Sequence, residues 1–260
     1  MYRSARGVAC VTRSFQDNLE TRGIDRSKCA YLPNGVDITS WLGGDRQKIR
    51  RRYGVAPEEM LLSYVGSVGM AHGIGTLLEA AKFLAKEGLP VRFLIVGDGA
   101  ELESLRAKAV EWGIDTVTFT GLVPHSEIRD HLAATDVALV LLRDRPLFRT
   151  VLPSKMFEAM GSGKPIVLGV GGEARDVLER AGCGIPVPPE DPVALAEAIR
   201  SLAGSEKKRV ALGEAGRLFV ESEFSRSVWA RRYMEWLEQQ VLGTGHRDSA
   251  AVDMIGVADN

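Results

Sequence analysis

The chain has 260 residues, 45% hydrophobic and 26% charged, and 33 Lys and Arg against 34 Asp and Glu leave a formal charge of −1. That length supplies a sizeable core for one large domain or two small ones, and the charge excludes a global attraction for nucleic acid or an anionic membrane. Cys10, Cys29 and Cys183 are far apart and odd in number, which argues against a disulfide framework or a zinc site and for a reducing compartment.

Residues 1–60 hold a short apolar run from Gly7 to Thr12, a stretch of helical period from Phe15, and the turn "LPNGVD", where Pro33 discourages helix. From residue 61 to about 203 the pattern alternates. The runs "LLSYVGSV", "VRFLIVGD", "VTFTG", "VALVLL", "PIVLGV" and "GIPVP" are short and rich in β-branched residues, and stretches of helical period such as Gly75–Lys86 and Ser126–Ala134 separate them. Near-continuous apolar strands spaced by helices predict a doubly wound, six-stranded parallel sheet covered on both faces. Residues 205–242 predict two more helices, the second with Val228, Tyr233, Trp236 and Leu237 on its inner face. The expected organisation is 1–37, 38–222, 223–242 and a disordered tail, 243–260. No segment approaches the roughly 18 uninterrupted apolar residues of a spanning helix, and the polar N-terminus is unlike a signal peptide. A cytoplasmic protein is expected.

Open parallel sheets bind ligands beyond the carboxyl ends of their strands, where strand order reverses. Three predicted loops at that edge are glycine-rich: Gly66-Ser67-Val68-Gly69, Gly97-Asp98-Gly99 and Gly169-Val170-Gly171-Gly172. Glycine admits an anion close to the backbone, and a following helix N-terminus offers free N–H groups. "GSGK" at Gly161–Lys164 ends like a Walker A loop, but the required earlier glycine falls at Glu158 and the Ser/Thr position at Pro165. Lys164 is instead expected to cap a helix C-terminus. "GVGGEA" fits G-x-G-x-x-A, with Glu190 about twenty residues on. It follows the fifth strand rather than the first, which argues against a dinucleotide site.

"LPSKMFE" carries more. Pro153 suits a first helical position, with Ser154 or Thr150 near the cap, and Lys155 then lies in the first turn, where a cation opposes the helix dipole. A bound anion would explain it, with Glu158 on the same face accepting ribose hydroxyls. A surface Glu–Lys pair at i, i+3 explains the same spacing. No His or Cys pair has metal-ligand spacing, no D-x-D occurs, and no G-x-S-x-G elbow occurs.

The blocks "VTRSFQDNLETRGIDRSKCAYLPNGVD", "YVGSVGMAHGIGTLLEAA", "FLIVGDGAELESL", "VTFTGLVPHSEI" and "LPSKMFEAMGSGKPIVLGVGGEARDVLERAGCGIPVPPEDPVALAEAI" occur in one order. Over about residues 5–240 that order resembles the C-terminal, donor-binding half of a family 4 glycosyltransferase of the GT-B fold, nearest the bacterial subgroup that builds cell-surface polysaccharides and includes aminosugar transferases. The resemblance implies two Rossmann-like domains with the site between them, and retaining transfer from an NDP-sugar to a saccharide or lipid-linked acceptor. No metal or other cofactor is implied, nor nucleic acid. By motif, Glu158 matches the second Glu of E-x7-E and should hold the ribose. The backbone of Leu122 and Val123 should flank the base, while Gly66, Ser67, Val68, Gly69, Gly97, Ser154 and Lys155 face the diphosphate and Gly171, Gly172 and Glu173 line the cleft. Lys155 and Glu158 are the expected catalytic pair.

Departures accompany the match. The first Glu of E-x7-E falls at Thr150, and the positions of the family's Arg and Lys phosphate clamps hold Ser67 and His72, so Lys155, with Arg149, is expected to supply the positive charge. Members exceed three hundred residues; this chain starts near the end of their N-terminal domain, which implies an acceptor site on a separate piece or chain. Without that domain, Trp229 and Trp236 of the crossing helix are expected to be exposed, and a peripheral place at the inner membrane face is compatible with the acceptor. The alternatives to a transferase half are a non-catalytic sugar-nucleotide-binding module, one half of a split enzyme, or a GT-B-fold sugar-nucleotide 2-epimerase, whose acid and base residues are not identifiable.

Overall fold

Residues 2–242 are described by the computed structural model, and they divide into two units, Met1–Gly35 with Arg226–Asn260, and Val36–Ser225. The expected tail, 243–260, lies outside the described residues. In the first unit, β1 (Val8–Cys10) pairs in parallel with β2 (Cys29–Tyr31), and α1 (Arg13–Thr21) connects them, its N-terminus capped by the Thr12 hydroxyl, which accepts from the Phe15 amide.

The second unit begins with α2 (Arg46–Arg52) and alternates regularly: β3 (Met60–Val65), α3 (Gly75–Lys86), β4 (Val91–Val96), α4 (Leu102–Glu111), β5 (Val117–Gly121), α5 (His125–Ala134), β6 (Val137–Leu141), α6 (Ser154–Gly161), β7 (Ile166–Gly169), α7 (Glu173–Ala181), β8 (Gly184–Pro186), α8 (Pro192–Ala203) and α9 (Glu206–Glu223). α10 (Arg226–Leu242) returns to the first unit.

The six strands form the expected parallel sheet, in the order β5-β4-β3-β6-β7-β8. Apart from Ser63, Tyr64 and Arg92, every position of β3, β4, β6 and β7 is apolar or glycine because helices cover both faces. Leu62, Tyr64, Phe93, Ile95 and Leu139 pack with α3, α4 and α8. On the opposite face, Ala138, Val140, Ile166 and Leu168 meet Met156, Phe157 and Met160 of α6 and Val177 and Leu178 of α7, while Leu61 and Leu94 meet Ile49 of α2. Strand order reverses between β3 and β6. The chain therefore leaves these two neighbours in opposite directions, and a crevice opens above their carboxyl ends.

At the other end of the same strands, Asp136 accepts from the Leu61 amide (2.7 Å), Arg46 (2.7 Å) and Arg50 (3.1 Å). Arg50 is buried, and its guanidinium also donates to the Ala56 and Glu59 carbonyls. This pins the start of β6 to β3.

Two expectations about α10 need correction. Trp229 and Trp236 are half-buried rather than exposed, because the N-terminal segment provides partners: Tyr31 meets Trp229 edge-on at 5.7 Å, and Trp236 lies against Gly7, where a Cβ would come within 2.6 Å of its ring. Val228 and Tyr233, expected inside, are exposed.

Candidate functional site

The rim above the crevice is built from backbone held against backbone. β3 ends at Gly66, and Gly97 after β4 lies so close that a Cβ there would sit 2.0 Å from the Gly66 carbonyl oxygen. Val68 is fully buried; its amide donates to the Asp98 carbonyl at 2.9 Å, and its own carbonyl accepts from the Glu101 amide at 3.0 Å. Gly97 and Val68, both expected to bind ligand, thus fasten the two loops together. The amides of Ser67 and Gly69, in contrast, meet no protein acceptor among the described residues. The loop after β6 joins the same rim: the Arg143 amide donates to the Ala71 carbonyl (2.9 Å) and its guanidinium to Glu101 (2.9 Å).

α6 approaches the rim with its N-terminus. Pro153 is the cap residue rather than the first helical one, and no side chain caps the helix. Ser154 occupies the first helical position and is exposed. The Thr150 hydroxyl donates to the Leu147 carbonyl at 2.7 Å, closing its own short 3-10 turn, so it does not cap α6. The first turn holds no acidic residue, which leaves its N–H groups and the positive dipole end available to an anion. α7 differs, with Glu173 and Asp176 in its first turn.

The geometry shows that Lys155 is turned inward rather than paired with Glu158 on the surface. Lys155 makes its hydrogen bond to Tyr64 Oη, at 2.7 Å, with Nζ also 4.2 Å from the centre of the Tyr64 ring. Its ammonium lies directly under the glycine loop, since a Cβ on Gly66 would be 2.8 Å from Nζ. Burial lowers the Lys155 pKa to about 8, with Glu158 opposing the shift. The Glu158 carboxyl is raised by burial, against Lys155, His125 and the Ser154 hydrogen bond. Lysine and glutamate are thus both half-buried, and each favours the other's charged form. His72 completes the floor. Its ring stands edge-on to Tyr64 at 6.0 Å, and its Nδ1 is buried with no hydrogen-bond partner.

The remaining expected residues are distributed around this centre. Leu122, 82% exposed, and half-buried Val123 follow β5, which the Gly97 amide joins through the Gly121 carbonyl at 3.1 Å. Gly172 adopts φ 66° where a Cβ would come within 2.0 Å of the Arg149 carbonyl oxygen, and Gly171 contacts the Arg149 side chain. Arg149, expected to supply charge, is held by Asp144 through its Nε and Nη2 at 2.9–3.1 Å. Glu190 accepts from the Asp144 amide at 2.8 Å, a loop-bracing role rather than that of a ribose-binding acid. "GSGK" closes α6: the Gly163 amide bonds the Met160 carbonyl, the Lys164 amide bonds that of Ala159, and Gly163 has φ 65°, a Schellman cap. Lys164 Nζ caps a carbonyl of the neighbouring helix, Ala133 of α5, at 3.0 Å. Among the described residues no group of three or more His, Cys, Asp or Glu is placed to hold a metal, and no helix is long and apolar enough to cross a membrane.

Tyr64 is the residue that sequence reasoning missed. Its signal was present: a tyrosine one residue from the end of a buried strand must find a partner for its hydroxyl.

Comparison with known proteins places this rim in context. The family model described as "Glycosyl transferases group 1" matches residues 45–219. A probable glycosyltransferase, WbjE of Pseudomonas aeruginosa, is 31% identical over 175 residues, 66% of this chain and 42% of that protein. The GDP-mannose-dependent alpha-(1-6)-phosphatidylinositol monomannoside mannosyltransferase of Mycobacterium tuberculosis is 30% identical over 214 residues, 80% of this chain and 55% of that protein. The chain thus spans about half the length of these relatives. Among solved structures, Anabaena Alr3699/HepE in complex with UDP and glucose superposes with a TM-score of 0.81 at 21% identity, over 91% of this chain and 64% of that one. The shared fold is that of the GT-B transferases, and the chain belongs to the group 1 glycosyl transferases.

Proposed function

We propose that this chain is the nucleotide-sugar-binding half of a retaining glycosyltransferase, which acts on a saccharide or lipid-linked acceptor together with an acceptor-binding domain. The observation that carries the reading is the buried Lys155 ammonium beneath the Gly66–Gly69 loop, beside the uncapped start of α6. The relatives and neighbours support it: one is named as GDP-mannose-dependent and another holds UDP. Their names as transferases disfavour an epimerase or a purely binding module.

In this reading the diphosphate lies across the switch point. It accepts from the Ser67 and Gly69 amides and the first amides of α6, with Lys155 as its counter-charge. Glu158 accepts from the ribose, and Leu122–Val123 flank the base. Gly171, Gly172 and Glu173 border the sugar. As the glycosidic C–O bond breaks, negative charge grows on the departing diphosphate, and groups already fixed in place stabilise it without reorganising. Titration calorimetry with UDP, GDP and ADP tests the reading. Saturable binding of one of them, weakened about 10- to 150-fold by Lys155→Met, is expected; failure of all three to bind overturns it. Supplying an acceptor domain in trans should then restore transfer.

A further inference from the structure

We infer that Tyr64 is a positioning residue for the donor diphosphate, its hydroxyl holding the Lys155 ammonium and the phosphate-facing loop in one fixed arrangement. The inference rests on the donor-site reading above and extends it to a residue that touches no ligand.

Three contacts carry it. The Tyr64 hydroxyl accepts from Lys155 Nζ at 2.7 Å and donates its single proton to the Ser67 carbonyl at 2.7 Å. Its ring, fully buried, lies beneath the same ammonium at 4.2 Å. With its proton committed to Ser67, the oxygen presents only lone pairs to Lys155, so the bond has one direction. An acceptor at a charged donor favours the charged form, and the negative face of the ring does the same. Tyr64 therefore opposes the burial that depresses the lysine. It also ties the carbonyl of Ser67, whose amide faces the crevice, to the position of the cation. No side chain intervenes, because Gly66 leaves the space open. The titratable groups around Lys155 are Tyr64 on β3, His72 on the following loop and Glu158 on its own helix. Burial raises the phenol pKa and lowers that of His72. Neutral His72 and un-ionised Tyr64 leave Lys155 as the group that titrates as pH rises through the range near 8.

The test is Tyr64→Phe, which keeps the ring and removes the oxygen. Calorimetry with the nucleoside diphosphate that binds the wild-type chain should show affinity falling about 5- to 20-fold. The pH above which affinity declines should move to lower values, because the lysine loses an acceptor for its charged form. In a Lys155→Met background the same Tyr64→Phe change should cost little, since the group it positions is gone. An unmoved pH profile, or an equal cost in both backgrounds, would show a loop-packing role alone and overturn the inference. A measurement on the unmodified protein guards against a variant that fails to fold. In ¹⁵N-detected spectra assigned through Lys155→Met, the Lys155 ammonium should exchange with water more slowly than surface lysines; exchange at surface rates overturns the inference. Wild-type chain that binds no nucleoside diphosphate overturns the donor-site reading and this inference with it, whereas binding with an unmoved pH profile in Tyr64→Phe overturns this inference alone.

Discussion

Replacing Lys155 by Met should weaken donor binding and leave the fold as stable as before, or more so. The side chains are similar in length and flexibility, so packing beneath the Gly66 loop is retained. A charge-assisted contact to phosphate is worth about 1.5–3 kcal/mol, which corresponds to a Kd for UDP or GDP raised about 10- to 150-fold. The stability change has the opposite sign. Burial lowers the lysine pKa from 10.5 to about 8, so keeping the ammonium charged at neutral pH costs on the order of 1–3 kcal/mol, discounted for its partial exposure. Loss of the Tyr64 hydrogen bond gives back about 1 kcal/mol. The net gain of about 0–2 kcal/mol would raise Tm by a few degrees, at roughly 2–4 °C per kcal/mol for a unit of this size. Calorimetric titration and differential scanning on the same protein measure both. A Kd unchanged by the substitution would remove Lys155 from the phosphate site, and a Tm that fell along with affinity would refute the account of a cation held at the expense of stability.

Two glycines at the rim should respond differently. Gly97→Ala places a Cβ 2.0 Å from the Gly66 carbonyl oxygen at φ 136°, backbone against backbone, and should cost at least ~2 kcal/mol in urea unfolding. At Gly66 the same change meets the mobile end of Lys155, although φ is 142°; donor affinity should fall more than stability, and equal losses at both sites would contradict the contact described. Asp136→Ala strands the buried Arg50 charge, though two carbonyls still accept from it; a loss near 3 kcal/mol is expected, a Tm drop on the order of 10 °C, and a drop below ~2 °C would argue against the pin. Stability of the free chain should rise between about pH 8 and 9, because the depressed lysines Lys155 and Lys164 release protons in the fold before the unfolded chain does; above about pH 9 the buried thiols of Cys10 and Cys183, raised by burial, offset that gain. Tyr64, raised by burial, reverses that trend above about pH 10. Urea midpoints that fell from pH 8 to 9 would be the wrong sign. Donor affinity should hold steady below about pH 8 and weaken above it.

The strands, their parallel pairing and the helices between them were legible in the sequence, because a strand buried on both faces must be apolar along its whole length. Gly75–Lys86 was read to the residue. The position of the crevice followed from the same pattern, since strand order in a doubly wound sheet fixes where connections diverge. Which residues stand together there was decided only by tertiary structure. The spacing of Lys155 and Glu158 fits a surface pair and a buried site equally. Burial and a tyrosine 91 residues distant in sequence place Lys155 inside the fold, and periodicity carries no information about contacts of that range. The packing of Gly97 against the neighbouring loop was hidden for the same reason: a glycine needed for close approach reads identically whether the approaching group is a phosphate or the Gly66 carbonyl.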